Sequence, residues 1–224
     1  VLASAYKPDP NEKVSFLKAE DTSLYQNLVT DAFEVQVGLH ELLGHGSGAM
    51  FFQIPDGVTN PVTQRPVETC YREGETDDSK FPVIGSPYEE CRAESVGIYL
   101  CTEPRVMEIF GHTENGDDVM YINWLHMARA GILALLYYDP QKQKWQQAHM
   151  QARFAILQVM LEAGQGFLEL NTATTSTSAA TATEISMDRS KILTVGKLAI
   201  GKFLTKIQVF KATADYDSAK TMYD

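Results

Sequence analysis

Two short segments hold the residues best suited to chemistry: His40-Glu41-Leu42-Leu43-Gly44-His45 and Glu89-Glu90-Cys91-Arg92-Ala93-Glu94. The first sets two of the chain's five histidines around one glutamate inside an otherwise apolar stretch. On an α-helix each residue turns about 100°, so side chains at i and i+4 lie about 40° apart and can share one ion. At i and i+5 they lie about 140° apart and cannot. The two histidines therefore meet one metal only if the helix takes in an extra residue as a π-bulge, a distortion often found at functional sites. Gly44, directly before the second histidine, would ease it. The alternative is two unrelated histidines on a buried helix, with Glu41 in solvent. The second segment offers carboxylates. Zinc in hydrolases commonly takes two histidines and one carboxylate, leaving a position open for water. Taken alone, the same cluster also reads as an acidic first helical turn favoured by the helix dipole.

These residues need elements to carry them. Apolar residues recur at helical spacing through Leu24, Leu28, Val35, Leu39 and Leu42, so a helix is expected from about Ser23 to His45, ended by Gly46-Ser47-Gly48. Residues 53–85 hold Pro55, Pro61, Pro66 and Pro82 and read as a long loop region, with room for short strands. Ser86-Pro87-Tyr88-Glu89 has the form of a capped helix start, with a helix running to about Cys101. Further helices are expected over about Asp117–Tyr138, Lys142–Ala163 and Ser190–Lys211. The apolar run Ile132–Leu136 makes the first of these a candidate for the centre of the core. Residues 1–20 read as an extended lead-in. Residues 171–184 are almost wholly Thr, Ser and Ala and read as a disordered or variable loop. No βαβ rhythm is visible, so the class is mainly α.

The chain has 224 residues, enough for one large domain. Its formal net charge is −10, which argues against nucleic-acid binding, since no basic stripe compensates. Three cysteines (Cys70, Cys91 and Cys101) lack the count and spacing of a disulfide framework and fit a reducing, cytoplasmic setting. No run of 18 apolar residues is present, so no membrane partner is expected. The chain opens on Val1 without a signal-peptide pattern and reads as an internal piece of a longer protein.

Together the two segments resemble the paired signatures of the dipeptidyl peptidase III family of zinc exopeptidases. The likeness continues through Gly46-Ser47-Gly48, Tyr71-Arg72, Gly74-Glu75-Thr76, Ser79-Lys80-Phe81, Ser95-Val96-Gly97, Asn123-Trp124-Leu125, Arg129-Ala130-Gly131, Gln147–Phe154 and Asp188–Lys191. The resemblance implies one zinc ion held by His40, His45 and Glu90, with Glu41 as general base. It places Glu89 and Glu94 beside the ligand histidines, whose second ring nitrogen usually meets a carboxylate or carbonyl. It implies that His149 acts near the scissile bond, where it could stabilise the oxyanion, and that Arg153 lies in the substrate cleft. Arg129 is a weaker cleft candidate. His112 and His126 match no such motif and are expected to be structural, and Cys91 to be a packed thiol. Residues 1–224 would then form part of the helical, zinc-binding catalytic lobe of a two-lobed metallopeptidase with long irregular loops. The other lobe and the C-terminal end would lie outside this chain.

The activity so implied is release of dipeptides from the N-terminus of oligopeptides. Spacing and chemistry alone reach only as far as a zinc hydrolase. A zinc endopeptidase or other metallohydrolase, or a catalytically weak zinc-binding fragment, uses the same ligands. A metal that merely pins two helices fits less well, since structural zinc usually has four protein ligands and favours Cys. Some relatives carry a Glu-Thr-Gly-Glu loop that docks on a ubiquitin-ligase adaptor. Here the corresponding residues are Val62-Thr63-Gln64-Arg65, so that partner is not expected.

Overall fold

The computed structural model describes residues 14–54, 56–174 and 181–223. Helix α1, Ala19–Leu39, buries Tyr25, Val29, Ala32, Val35, Gln36 and Leu39, one stripe at the helical period. Glu20 and Asp21 favour its first turn through the helix dipole. It runs without a break into a π-helical turn, His40–His45, so the bulge required by the i, i+5 spacing is present.

The loop region that follows holds an isolated bridge, Thr59 to Pro66, and a four-residue helix α2, Asp77–Lys80, closed by a Thr76/Ser79 capping box. Helix α3, Gly85–Leu100, is buried continuously from Cys91 to Ile98 and packs against α1 and the π-turn. Its start corrects the expected cap at Ser86. Ile84 takes that position without a side-chain cap, because the preceding turn already leads the backbone in: Gly85 N–H donates to the Phe81 carbonyl (2.7 Å) and Tyr88 N–H to the Ile84 carbonyl (2.8 Å). Glu89 is thereby left for other partners.

Helix α4, Pro104–Ile109, is short. Helix α5, Gly116–Leu133, buries most residues from Val119 to Gly131 and passes into a 3-10 turn, Ala134–Tyr137. The helix is central in the core as expected, but chiefly along these earlier turns: within the apolar run Ala134 is buried while Leu135 and Leu136 are 51% and 78% exposed. The stretch Gly116–Tyr137 is long and apolar enough to cross a membrane by length and composition, but 67% of its apolar 18-residue window is buried inside this fold. A small hairpin, β1 Tyr138–Asp139 with β2 Lys144–Trp145, delays helix α6 to Ala148–Glu162, six residues later than its expected start. The Gln147 side chain caps α6 by accepting from Met150 N–H (2.7 Å).

Strands β3, Leu168–Thr174, and β4, Thr181–Met187, pair antiparallel from Leu168↔Met187 to Thr174↔Thr181. This corrects the loop reading of 171–184 at 171–174 and 181–184, while 175–180 lie outside the described residues. Threonine is β-branched and suits a pleated strand, so a Thr-rich composition does not exclude one. The lead-in joins this ribbon, with Ile185 N–H donating to the Phe16 carbonyl (2.8 Å), while residues 1–13 also lie outside the described residues. The expected last helix is divided: a 3-10 turn, Arg189–Lys191, a π-turn, Ile192–Gly196, and helix α7, Lys197–Ala212. Helix α8, Tyr216–Tyr223, follows unanticipated.

Helices α5 and α6 cross at Gly131, where an added Cβ would lie 2.5 Å from Leu157 Cβ and 2.8 Å from the Arg153 carbonyl oxygen. Backbone cannot yield there as a flexible side chain could, so Gly131→Ala is expected to destabilise the protein by about 1–3 kcal/mol. Chemical denaturation of the two proteins checks this.

Candidate metal centre

The π-turn and helix α3 meet face to face, and Gly44 makes the approach possible. An added Cβ at Gly44 would lie 2.8 Å from both Cα and Cβ of Ala93. Across this contact His40 Nε2 lies 3.2 Å and His45 Nε2 3.5 Å from Glu90 Oε2. His149, from the first turn of α6, brings its Nε2 to 3.1 Å from the same oxygen. The His40 and His149 rings stack with centroids 5.7 Å apart, and the His40 and His45 rings stand nearly perpendicular at 4.6 Å.

The donor atoms of His40, His45 and Glu90 all lie within 4.8 Å of one another and could hold a metal ion. Four ligands around a tetrahedral ion with bonds of about 2.0–2.1 Å stand about 3.3–3.4 Å apart, close to the separations seen. Glu90 Oε2 is also buried without a well-formed hydrogen bond, although three imidazole nitrogens surround it. A buried carboxylate oxygen left in that state fits a cation better than it fits a protein donor. Glu41, next to His40 on the π-turn, is exposed and lies outside the ligand-capable group.

Each histidine of the pair has its own carboxylate behind it. Glu94 Oε2 lies 3.5 Å from His40 Nδ1, and Glu89 Oε1 lies 2.9 Å from His45 Nδ1. Glu90 and Glu94, four residues apart on one face, both reach His40, while Glu89, about 100° round the helix, serves His45. Glu94 is 2% exposed and is held by Arg153 Nε (2.8 Å) and Gln36 Nε2 (2.8 Å). Asn123 Nδ2 in turn donates to Gln36 Oε1 (3.1 Å). Glu89 is held by Arg92 and Lys211. Gln36, Asn123, Arg92 and Lys211 escaped the sequence reading. Gln36 carried a usable signal, as a polar residue on the buried stripe of α1 one turn before His40.

Three further residues were expected to be structural: His126, Cys91 and His112. His126 Nδ1 pairs with the Tyr25 hydroxyl (2.7 Å), and burial lowers its pKa to about 4. Cys91 is buried between α3 and α6, its Sγ 3.8 Å from the Ala152 carbonyl oxygen. His112 donates its backbone N–H to the Met107 carbonyl (2.8 Å). Arg153 is brought to the cluster through Glu94. Arg129 instead spends its Nε and Nη2 on Ser15 (3.0 and 3.3 Å) and lies over the Tyr25 ring, which ties the lead-in to α5.

A mainly helical protein that sets two histidines and a glutamate at metal-ligand separations, with a solvent-facing glutamate beside them, has the equipment of a metallohydrolase. All of residues 1–224 match the model of peptidase family M49, and the chain belongs to that family. It is 51% identical to dipeptidyl peptidase 3 of Nematostella vectensis and 50% identical to that of Homo sapiens, over 100% of this chain and 31% of each relative. The Dictyostelium discoideum relative is 42% identical over 96% of this chain and 32% of its own length. The chain thus spans under a third of these relatives. The fold matches the solved structure of DPP III from Caldithrix abyssi with a TM-score of 0.59, at 19% identity over 93% of this chain and 31% of that one.

Electrostatics at the site set a stability window. Burial acts to raise the pKa of Glu94 and Glu89, but it is outweighed for Glu94 by His40, Arg153 and Gln36, and for Glu89 by Arg92, Lys211 and His45; both fall from 4.5 to about 2. Burial acts to lower that of His40, but Glu90 and Glu94 outweigh it and raise it from 6.5 to about 9. The depressed carboxylates contribute stability above pH 4.5 that is lost as pH falls toward 2. The raised imidazole contributes stability below 6.5 that is lost as pH rises through 9. Metal-free protein is therefore expected to melt highest between about pH 4.5 and 6.5, and Glu94→Gln to flatten the acid side of the profile. Thermal melts in chelator across pH check both.

Proposed function

We propose that this chain carries the zinc site of a peptidase that releases dipeptides from the N-terminus of oligopeptides. The observation that carries the reading is the approach of His40 Nε2 and His45 Nε2 to one Glu90 oxygen, at 3.2 and 3.5 Å. Two imidazoles and a carboxylate with a free position are the donor set of catalytic zinc, which supports zinc over calcium or magnesium, whose ligands are oxygen. Zinc bound there supplies a Lewis acid that brings the pKa of water to about 7 and polarises the scissile carbonyl.

The protein groups do the rest. Glu41, exposed and directly after His40, takes the proton from the attacking water and passes it toward the leaving amine. His149 sits beside Glu90 and donates to the oxyanion that develops at the carbonyl. Glu94 and Glu89 fix the orientation of His40 and His45 through their second ring nitrogens. Arg153 commits Nε to Glu94, so its contact with substrate falls to the two terminal nitrogens. Residues outside this chain complete the peptide cleft and hold the substrate's free ammonium, which makes this chain one part of the catalytic lobe. A cytoplasmic location belongs to the same reading and is supported by the free thiols Cys70, Cys91 and Cys101.

Two assays on the whole protein that contains this chain test the reading. Glu41→Gln is expected to lower kcat by about 10²–10⁴-fold with little change in KM, since it removes a proton acceptor and not a binding contact. Peptides with a free N-terminus are expected to be cut after the second residue, and their N-acetylated counterparts to resist. Equal cleavage of both would replace the exopeptidase reading with an endopeptidase.

A further inference from the structure

A π-turn that carries a functional group needs something to hold it, because it gives up the regular α-helical ladder. Here the turn ends at Gly44 and His45, and one buried side chain from the facing helix reaches that end. Arg92 is 2% exposed. Its Nη2 donates to the Gly44 carbonyl (2.6 Å) and to Glu89 Oε1 (2.7 Å), its Nε to Glu89 Oε2 (2.8 Å), and its Nη1 to Ser47 Oγ and Gln208 Oε1 (both 3.4 Å). The Gly44 carbonyl belongs to the peptide that enters His45, and Glu89 Oε1 lies 2.9 Å from His45 Nδ1. One guanidinium nitrogen thus fixes both the backbone that delivers His45 and the carboxylate that turns its ring.

We propose that Arg92 is the positioning residue for His45. It holds the C-terminal end of the π-turn and the His45 ring in one rigid unit, and so sets metal affinity without touching the metal. The proposal rests on the reading of His40, His45 and Glu90 as the ligand set. Three features make the role specific to arginine. The cation lies at the carbonyl end of a helix, where the dipole favours it. Glu89 is gripped by two parallel N–H groups, which a lysine cannot supply. The spread of donors around the edge of the planar guanidinium joins α3, the π-turn and, through Gln208, helix α7. Lys211 shares Glu89 but also pairs with Asp77 (2.9 Å), whereas the Gly44 carbonyl accepts from Arg92.

The test measures zinc affinity by competition with a chromophoric chelator, in the parent, Arg92→Lys, Lys211→Met, His45→Ala and the double variant Arg92→Lys/His45→Ala. Parent affinity and its loss in His45→Ala test the ligand set by themselves; a parent that binds no zinc overturns that reading and this one together. With the ligand set intact, Arg92→Lys is expected to weaken zinc binding about 10–100-fold while keeping its helical circular dichroism. Lys211→Met is expected to lose less. Adding Arg92→Lys to His45→Ala is expected to change nothing further, as two residues acting through one contact do not add. The cobalt-substituted Arg92→Lys protein is expected to show an altered visible absorption spectrum, reporting a displaced ligand. Parent-like affinity in Arg92→Lys, an equal loss in Lys211→Met, or a full further loss in the His45→Ala background overturns the proposal. Should Arg92→Lys not fold, Arg92→Gln takes its place with the same expectations. If neither folds, Arg92 serves stability and the proposal is wrong.

Discussion

The site depends on one extra residue between two histidines. A regular α-helix would swing His45 about 140° away from His40 and leave no common point for an ion. The π-turn at His40–His45 absorbs that residue. It can lie against α3 only because position 44 has no side chain to strike Ala93. The close approach in turn puts Glu90 between the two imidazoles and places a carboxylate behind each of them. Ligand geometry, helix packing and the acidic sequence of α3 are thus consequences of a single constraint on helical register.

Charge balance follows the same plan. Three glutamates within six residues would repel one another if left alone in a protein interior, where charge is costly. Each has instead a distinct set of partners: Glu94 takes Arg153 and Gln36, Glu89 takes Arg92 and Lys211, and Glu90 faces the imidazoles. The cations come from three different helices, so the ion-pair network also ties α3, α6 and α7 together. That is how Arg92 can be buried, and Arg153 and Lys211 largely so, at the acidic face of α3.

The local chemistry was legible in the sequence because it is local. The His40/His45 spacing alone demanded a bulge, and Glu90 and Glu94 at i and i+4 were bound to share a face. Helix α1 was visible in its apolar periodicity, α3 in the start pattern around Pro87 and α5 in its apolar run. What stayed hidden depends on distant contacts. Nothing near Ser86 reveals that the turn at Phe81–Ile84 already satisfies the α3 N-terminus. The apolar run ending at Leu136 reads as core, although the burial comes earlier, where α1 and α6 cover α5. The Thr-rich segment looks featureless until β3 and β4 are seen to pair. Arg92 and Lys211 reach Glu89 from 3 and 122 residues away, and only the fold brings the second of them there.

The most direct test of the central claim is the zinc content of the purified protein by elemental analysis, beside that of its His45→Ala and Glu41→Ala variants. One zinc per chain is predicted in the parent and in Glu41→Ala, and little or none in His45→Ala. Zinc retained undiminished in His45→Ala, or absent from a metal-replete parent, would contradict the claim that the π-turn brings both histidines to one ion.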